Sequence, residues 1–214
     1  MHFHDCFVQG CDASILIDSS KDNTAEKDSP ANLSLRGYEI IDAAKDALEK
    51  QCPGVVSCAD ILAMAARDAV FFAGGPVYDI PKGRKDGRRS KIEDTINLPP
   101  PNLNSSELIR MFGQRGFTPQ QMVALSGDSA EQPFDTTRNT FDNDYFNALQ
   151  RKAGVLFSDQ TLFESVQTRG IVNAYAMNQA MFFFAFQQAM VKMGVMDVKE
   201  GSNGEVRNTC RVIN

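Results

Sequence analysis

The side chains best suited to chemistry lie within the first fourteen positions of this sequence. Hard oxygen ligands on a tight loop suit Ca²⁺, which binds carboxylate, hydroxyl and backbone carbonyl oxygens. Gly10 gives the segment the freedom to turn tightly. The sequence therefore predicts a calcium-binding loop close to residue 10. The side chains in question are two imidazoles, two carboxylates, two thiols and one hydroxyl, namely His2, His4, Asp5, Cys6, Cys11, Asp12 and Ser14.

Two other interpretations of this segment stay open on the residues alone. One is a transition-metal site formed by His2, His4 and Cys6, which share one face of a strand but spread apart on a helix. The other is a surface loop fixed by a disulfide, in which the polar residues are incidental. Composition does not separate these alternatives from the calcium loop.

Composition limits the class of protein. A chain of 214 residues that is 43% hydrophobic can bury a core, and we expect one domain spanning residues 1–214 and a monomer. The net charge of −5 argues against nucleic acid or an anionic membrane surface as a partner. The longest apolar run, residues 180–186, is too short to span a bilayer and predicts a buried helix. No basic region followed by an apolar core begins the sequence, so we expect no signal peptide in this chain.

Helical periodicity dominates the chain, and sustained alternation of polar and apolar residues is absent from the sequence. The sequence therefore predicts a mainly α fold with very little β structure. Residues 77–104 should be irregular, and the basic cluster at 83–89 should be a solvated turn with local ion pairs rather than a polyanion site. The predicted helices cover residues 35–50, 59–73, 105–114, 119–125, 143–152, 158–166 and 171–193.

Several short motifs occur in one order along the chain. They are residues 2–14, Val56-Ser57-Cys58-Ala59-Asp60, Met122-Val123-Ala124-Leu125-Ser126-Gly127, Phe141-Asp142-Asn143, Ser158-Asp159-Gln160 and Asn208-Thr209-Cys210-Arg211. Together they resemble the secreted haem peroxidases of plants (class III peroxidases). That resemblance implies a haem-peroxidase-like helical fold, haem b and Ca²⁺ as cofactors, and an extracellular location. It also implies oxidation of phenolic donors by hydrogen peroxide in one-electron steps, and so a role in removing peroxide under oxidative stress.

The resemblance implies roles for individual residues. His4 would be the distal histidine, which takes a proton from peroxide and returns it to the leaving oxygen, acid–base work that typically contributes 10²- to 10⁴-fold. Asn32 would fix the tautomer of His4, and Glu26 would support Asn32. The carbonyl of Pro99 would meet aromatic donors at the haem edge.

The resemblance also implies two calcium sites. The distal site would use the side chains of Asp5, Asp12 and Ser14 with the carbonyls of Val8 and Gly10, and Glu26 lies in the same region. A remnant of a second calcium site would consist of Asp135, Thr137, Thr140 and Asp142.

The five cysteines fit the resemblance as well. Cys6 would pair with Cys11 and Cys58 with Cys210, which leaves Cys52 without its partner because that partner would lie upstream of residue 1.

The sequence departs from the family pattern where the proximal histidine should ligate the haem iron. The whole sequence contains two histidines, His2 and His4, and both belong to the distal motif. An internal deletion near residues 127–133 accounts for the missing ligand, and the distal arginine would lie upstream of Met1. We therefore expect no haem iron ligand and impaired activity. The alternative is a non-catalytic helical remnant that is stabilised by bound calcium and does not bind haem.

Overall fold

The computed structural model describes residues 1–127 and 140–214, and these residues are mainly α-helical, as predicted. β structure in the described part is limited to isolated bridges, such as that between Asp86 and Glu205. The helices are α1 (His2–Gln9), α2 (Tyr38–Gln51), α3 (Cys58–Phe72), α4 (Ser105–Gln114), α5 (Pro119–Ser126), α6 (Asp144–Gln150), α7 (Phe157–Glu164), α8 (Arg169–Met177) and α9 (Gln179–Met193).

The chain forms two compact units. Unit 1 comprises residues 1–68, 79–98 and 193–214, and unit 2 comprises residues 69–78 and 99–192. The expectation of a single domain stays a prediction. Among the described helices, none combines the length and the apolar character needed to cross a membrane.

Unit 1 is built around the residues that follow α1. Ile15 and Leu16 are fully buried and pack with Ile41 of α2 and Leu62 of α3. α2 begins at Tyr38 rather than at residue 35, because Gly37 adopts a left-handed conformation (φ 87°) just before it. Ser57 caps α3 by accepting a hydrogen bond from the backbone N–H of Asp60, at 3.1 Å.

The basic cluster at residues 83–89 is only in part the solvated turn that the sequence predicts. Arg88 and Arg89 are about half exposed and pair with nearby carboxylates. Arg84, in contrast, is buried and pairs with Asp60 of α3, Nη1 lying 2.9 Å from Oδ1. The prediction was wrong for Arg84 because its partners, Asp60 and the carbonyl of Gly194, are distant in the sequence.

Unit 2 contains α4 to α8 and nearly all of α9, around an aromatic core. Asn104 and Thr118 begin α4 and α5 with capping boxes, each side chain accepting from the backbone N–H three residues later. Phe182 and Phe186 of α9 are completely buried. Further rings of this core include Tyr78, Phe141, Tyr145, Phe146 and Tyr175.

The predicted single helix over residues 171–193 is wrong, because the chain leaves the helical conformation at Asn178. Asn178 is extended (φ −143°, ψ 95°), and its Oδ1 accepts a hydrogen bond from the backbone N–H of Met181 at 3.0 Å. An asparagine that caps a new helix in this way competes with continuation of the old one. α9 is also not buried all round, since Phe184 is 63% exposed.

Candidate functional site

The motif of residues 2–14 begins as helix α1, and this excludes the arrangement needed for a His2, His4 and Cys6 metal site. Residues four apart lie on the same face of a helix, whereas residues two apart do not. Accordingly the ring of His2 lies 3.6 Å from Cys6 Sγ, while His4 points to Asn32. The hypothesis that these three residues form one transition-metal site was therefore wrong.

His4 forms a short hydrogen-bonded chain with residues of the segment that precedes α2. Its Nδ1 lies 2.7 Å from Asn32 Oδ1, and Asn32 Nδ2 donates to the backbone carbonyl of Glu26 at 2.7 Å. Because the amide nitrogen of Asn32 already faces an acceptor, its oxygen faces His4, and Nδ1 of His4 must carry the proton. The lone pair of Nε2 is then left to act as an acceptor.

The environment keeps the His4 imidazole neutral near pH 7. Burial lowers the pKa of His4 from 6.5 to about 4, and the hydrogen bond to Asn32 opposes this shift. A neutral ring with a fixed tautomer is the form of histidine that can accept a proton. The arrangement can therefore supply a general base at Nε2.

Two substitutions of Asn32 should move the pKa of His4 in opposite directions. Asn32→Ala removes the hydrogen bond that favours the imidazolium and should lower the pKa below about 4. Asn32→Asp places a carboxylate there and should raise it by about 1–3 units. NMR titration of the two histidines measures both shifts. His2, whose pKa burial lowers to about 3, serves as the internal control. If the pKa of His4 were the same in both variants, the hydrogen bond between His4 and Asn32 would be contradicted.

The loop after α1 folds around the carboxylate of Asp5. Asp5 Oδ2 accepts a hydrogen bond from the backbone N–H of Ala13 at 3.0 Å, and Asp12 Oδ1 accepts one from Ser14 at 3.1 Å. Gly10 is required at the start of the loop, because it has φ 97° and a Cβ there would collide with the carbonyl of Asp197.

Three buried carboxylates lie at this loop, and the pKa of each is raised. Burial and the charge of Asp12 raise the pKa of Asp5 well above its usual value, and burial raises that of Asp12. Burial, followed by the charges of Asp5 and Asp12, raises the pKa of Glu26 to about 9. Glu26 Oε2 accepts from the Ser14 hydroxyl at 3.1 Å, but its Oε1 is buried without a hydrogen-bond partner. Such a group of oxygens is what a hard cation would neutralise.

The backbone oxygens of the predicted calcium site lie in the last turn of α1 and at Gly10, the residue that follows the helix. The carbonyl of Val8 accepts from Asn97 Nδ2 at 3.2 Å, and that of Gly10 accepts from the N–H of Asp12 at 2.9 Å. Each carbonyl keeps a second lone pair. The donor set is thus oxygen only, with two acidic side chains, a hydroxyl and carbonyls, and these residues fit Ca²⁺. Calcium binding itself stays a prediction.

Glu26→Gln should stabilise the calcium-free protein at pH 8 and have little effect at pH 5. A carboxyl whose folded pKa is raised from 4.5 to about 9 holds its proton longer when folded, so stability falls as pH rises through that window. Glutamine removes this penalty. One pKa unit equals about 1.4 kcal/mol, and each kcal/mol moves the melting temperature of a domain this size by about 2–4 °C, so a gain of several degrees is expected.

The Glu26→Gln effect is measured by thermal unfolding in a chelator, followed by circular dichroism at both pH values. The exposed Glu39 of α2 provides the control, since Glu39→Gln should change the melting temperature by about 1–2 °C at most. Equal stabilisation by Glu26→Gln at pH 5 and pH 8 would rule out the charge of Glu26 as the source.

The other predicted site residues belong to later segments of the sequence. Pro99 is half-buried and follows a short 3-10 helix, Ile92–Asn97, and its role at a haem edge stays a prediction. Asp142 Oδ1 accepts from the N–H of Asp144 at the beginning of α6, and Thr140 is exposed. Asp135 and Thr137 lie outside the described residues, so the remnant calcium site also stays a prediction.

Asp159, which the resemblance assigns to the partner of a proximal imidazole, has other partners here. Its Oδ1 accepts from the hydroxyl of Tyr145 at 3.0 Å, and its Oδ2 accepts from the N–H of Leu156 at 2.9 Å. Burial raises the pKa of Asp159. The carboxylate is therefore satisfied within unit 2 without a histidine.

Both predicted disulfides are present, and Cys52 is free. Cys6–Cys11 joins α1 to the loop that follows it. That loop and α1 together carry the oxygen cluster, which consists of the side-chain oxygens of Asp5, Asp12 and Ser14 and the carbonyls of Val8 and Gly10. Cys58–Cys210 joins the first residue of α3 to the C-terminal segment across 152 positions.

Sequence reasoning missed three residues that hold the loop in place. Arg207 is fully buried and donates to the carbonyl of Ala13 at 2.7 Å. Lys199 lies 3.7 Å from Asp12 and donates to the carbonyl of Gln9. Asn97 contacts Val8. Each of these is roughly 90 to 190 positions from its partner, so no local signal could have identified it.

Comparison with known proteins identifies the family. The peroxidase family model matches residues 1–130 and 128–178, so the two matched segments meet at 128–130. Peroxidase 47 of Arabidopsis thaliana is 65% identical over 252 positions, covering 100% of this chain and 78% of that protein. Peroxidase 66 of the same plant is 40% identical (100% and 81% covered), and Peroxidase 5 of Vitis vinifera 42% (100% and 80%).

The length of the alignment is informative in its own right. The alignment with Peroxidase 47 extends over 252 positions, whereas the chain has 214 residues. At 38 positions of the alignment, therefore, this chain has no residue. On the matched segments and the shared identity, the chain belongs to the class III plant peroxidases, oxidoreductases that act on hydrogen peroxide.

Proposed function

We propose that this chain keeps the distal acid–base half of a haem peroxidase site but oxidises phenolic donors with peroxide only poorly. The observation that carries the proposal is the state of its two histidines. His4 is neutral and held by Asn32, whereas His2 is buried beside Cys6, and no third histidine exists in the sequence.

The retained half is supported by the geometry around His4. With Nδ1 bound to Asn32, Nε2 can accept a proton from hydrogen peroxide and later return it. Its low pKa keeps that nitrogen unprotonated above about pH 4. Glu26 contributes by holding the amide of Asn32 through its backbone carbonyl.

The residues of this chain do not fit a haem whose iron is held by a proximal histidine. Neither histidine can take that role, since both lie in the first turn of α1. Asp159, the carboxylate that would orient a proximal imidazole, is already occupied by Tyr145 and Leu156. An internal deletion near residues 127–133 would explain the missing proximal histidine. Two observations support it: the alignment contains gaps in this chain, and the two matched segments meet at 128–130.

We propose Ca²⁺ at the oxygen cluster after α1. Asp5, Asp12 and Ser14 would supply side-chain oxygens, and Val8 and Gly10 would supply carbonyls. The cation would relieve the repulsion among the buried carboxylates and so stiffen α1, the helix that carries His4. Asp135, Thr137, Thr140 and Asp142 would form at most a weak second site.

The second candidate function is a calcium-stapled helical scaffold that binds no haem. It is favoured by the contrast between the intact distal loop, closed by Cys6–Cys11, and the missing iron ligand. Two disulfides also support an extracellular location, because disulfides persist in oxidising compartments. The proposed partners are hydrogen peroxide and small phenols, with the protein a monomer.

A haem titration tests the proposal. The purified protein with Ca²⁺ is titrated with haem while the Soret band is followed, and phenol oxidation by peroxide is then assayed with the parent and with His4→Gln. We expect no saturable one-to-one binding and oxidation at the rate of free haem in both proteins. Tight stoichiometric binding, with turnover that His4→Gln lowers by about 10²-fold or more, would overturn it.

A further inference from the structure

Apart from the oxygen cluster, unit 1 contains a second group of potential metal ligands. Among the described residues, one set of histidine, cysteine or acidic side chains brings three ligand atoms within 4.8 Å of one another, and it consists of His2, Cys6 and Cys11. All three are buried, with exposures of 6%, 1% and 0%. The two sulfurs are at present joined as a disulfide.

The spacing within this group suits a tetrahedral metal. Cys6 Sγ lies 3.6 Å from Nδ1 and 3.8 Å from Nε2 of His2. With metal–sulfur and metal–nitrogen bonds of about 2.3 and 2.0–2.1 Å, the edge between the two ligands of a tetrahedral zinc ion is about 3.6 Å. The separation of sulfur and nitrogen thus matches a zinc site. Because the sulfur is nearly equidistant from the two ring nitrogens, it lies over the face of the imidazole, and the ring must rotate to direct a nitrogen lone pair at a metal shared with Cys6.

We propose that reduction of the Cys6–Cys11 disulfide creates a zinc site made of two thiolates and the His2 imidazole. A dithiol supplies the two electrons and two protons, the S–S bond breaks, and the dithiol becomes a cyclic disulfide. Zn²⁺ then displaces the two thiol protons and binds both sulfurs. Once the bond is broken, the two sulfurs separate to occupy two corners of the metal's tetrahedron.

The zinc site is chemically distinct from the oxygen cluster, although the two share one loop. Asp5 and Asp12 immediately precede and follow the cysteines and offer oxygen, which suits Ca²⁺. Thiolates and imidazole instead select zinc and related metals. Three protein ligands would leave the fourth position to water, as in catalytic zinc sites. The redox state of one disulfide thus determines whether this loop can hold a soft metal, whether or not the proposed peroxidase function holds.

Cobalt binding before and after reduction tests the proposal. The experiment uses the full chain with Cys52→Ser, which removes the free thiol as a ligand. The protein is left oxidised or is reduced with a phosphine, the new thiols are counted, and Co²⁺ and then Zn²⁺ are added. We expect the reduced protein alone to bind one Co²⁺ with tetrahedral d–d bands and a thiolate charge-transfer band, both of which Zn²⁺ abolishes. Equal binding by the oxidised protein, or no binding by the reduced one, would overturn the proposal.

Two variants assign the ligands. Cys6→Ser with Cys11→Ser removes both sulfurs but leaves Cys58 and Cys210, so any binding by that second pair remains visible. We expect it to bind no Co²⁺ with thiolate character. His2→Gln should keep the sulfurs and lose affinity by about 100-fold or more, judged against the 10- to 100-fold cost of losing even an outer-shell partner. Circular dichroism verifies that each variant is folded. Binding by the double serine variant equal to that of the parent would overturn the assignment.

Discussion

Replacing both Cys58 and Cys210 with alanine should lower the melting temperature of this protein by about 10 °C or more. The disulfide closes a loop of 152 positions. In the chain-entropy model, a cross-link over that length destabilises the unfolded chain by about 5 kcal/mol. At about 2–4 °C per kcal/mol, the loss is a large shift.

The packing around this disulfide adds to the expected loss. Cys58 and Cys210 are both buried within the core that contains Ile41 and Leu62. Alanine in place of each half-cystine leaves a small void there, and a void in a packed core has its own cost. The loss of the cross-link and the voids left by alanine therefore both lower the melting temperature.

Thermal unfolding by circular dichroism at constant Ca²⁺ measures the effect. Cys52→Ser is the matched control, because Cys52 is a cysteine of the same unit that forms no disulfide. It should change the free energy of unfolding by no more than about 0.5 kcal/mol. If the double alanine variant unfolded within 2 °C of the parent, at about the level of the control, the long disulfide would contribute nothing to stability.

Local signals in the sequence were enough to locate most helices but not the places where distant residues intervene. Thr118 with Pro119 and Ser57 before Cys58 mark helix starts that the structure confirms. Asn178 breaks a run that is periodic on both sides, and its capping role depends on one local hydrogen bond. A buried Arg84 could not be distinguished from its exposed neighbours, because the carboxylate that pairs with it belongs to α3.

In the candidate site, too, the local sequence identifies some residues, whereas the contacts between distant residues could not be predicted from it. The residues of the oxygen cluster were identifiable because Asp5, Asp12 and Ser14 lie within ten positions of one another. The pairing of His4 with Asn32, 28 positions apart, followed only from the resemblance to a family. The grouping of His2 with Cys6 was available from the i, i+4 spacing once a helix was assumed. On a strand, the same two residues would instead share a face with His4.

Arg84→Met should destabilise the protein by about 3–5 kcal/mol, the usual cost of breaking a buried ion pair by removing one partner. Methionine keeps much of the length and apolar volume of arginine but none of its charge. Asp60 would then remain buried, with only the backbone N–H groups of residues 83 and 84 as donors. The carbonyl of Gly194, which accepts from Arg84 Nε at 2.8 Å, would lose its partner as well.

The neighbouring Arg89 provides the matched control for this substitution. It forms a two-pronged ion pair with Asp94, with both N–O distances 2.9 Å, but its side chain is 51% exposed. Water screens such a pair and can solvate the carboxylate that is left, so Arg89→Met should cost far less stability than Arg84→Met. The two arginines thus belong to one basic segment and each pairs with a carboxylate, but Arg84 is buried and also donates to backbone carbonyls.

A double-mutant cycle separates the ion pair from the other contacts of Arg84. Urea unfolding of Arg84→Met, Asp60→Asn and the double variant gives the coupling energy, which should be about 1–3 kcal/mol for side chains in direct contact. Asparagine at position 60 needs no counter-charge, so the double variant should be more stable than the sum of the two single losses implies. Additive losses, or equal costs for Arg84→Met and Arg89→Met, would show that burial does not set the strength of this pair. In that event the basic segment would be the solvated turn that its composition indicates.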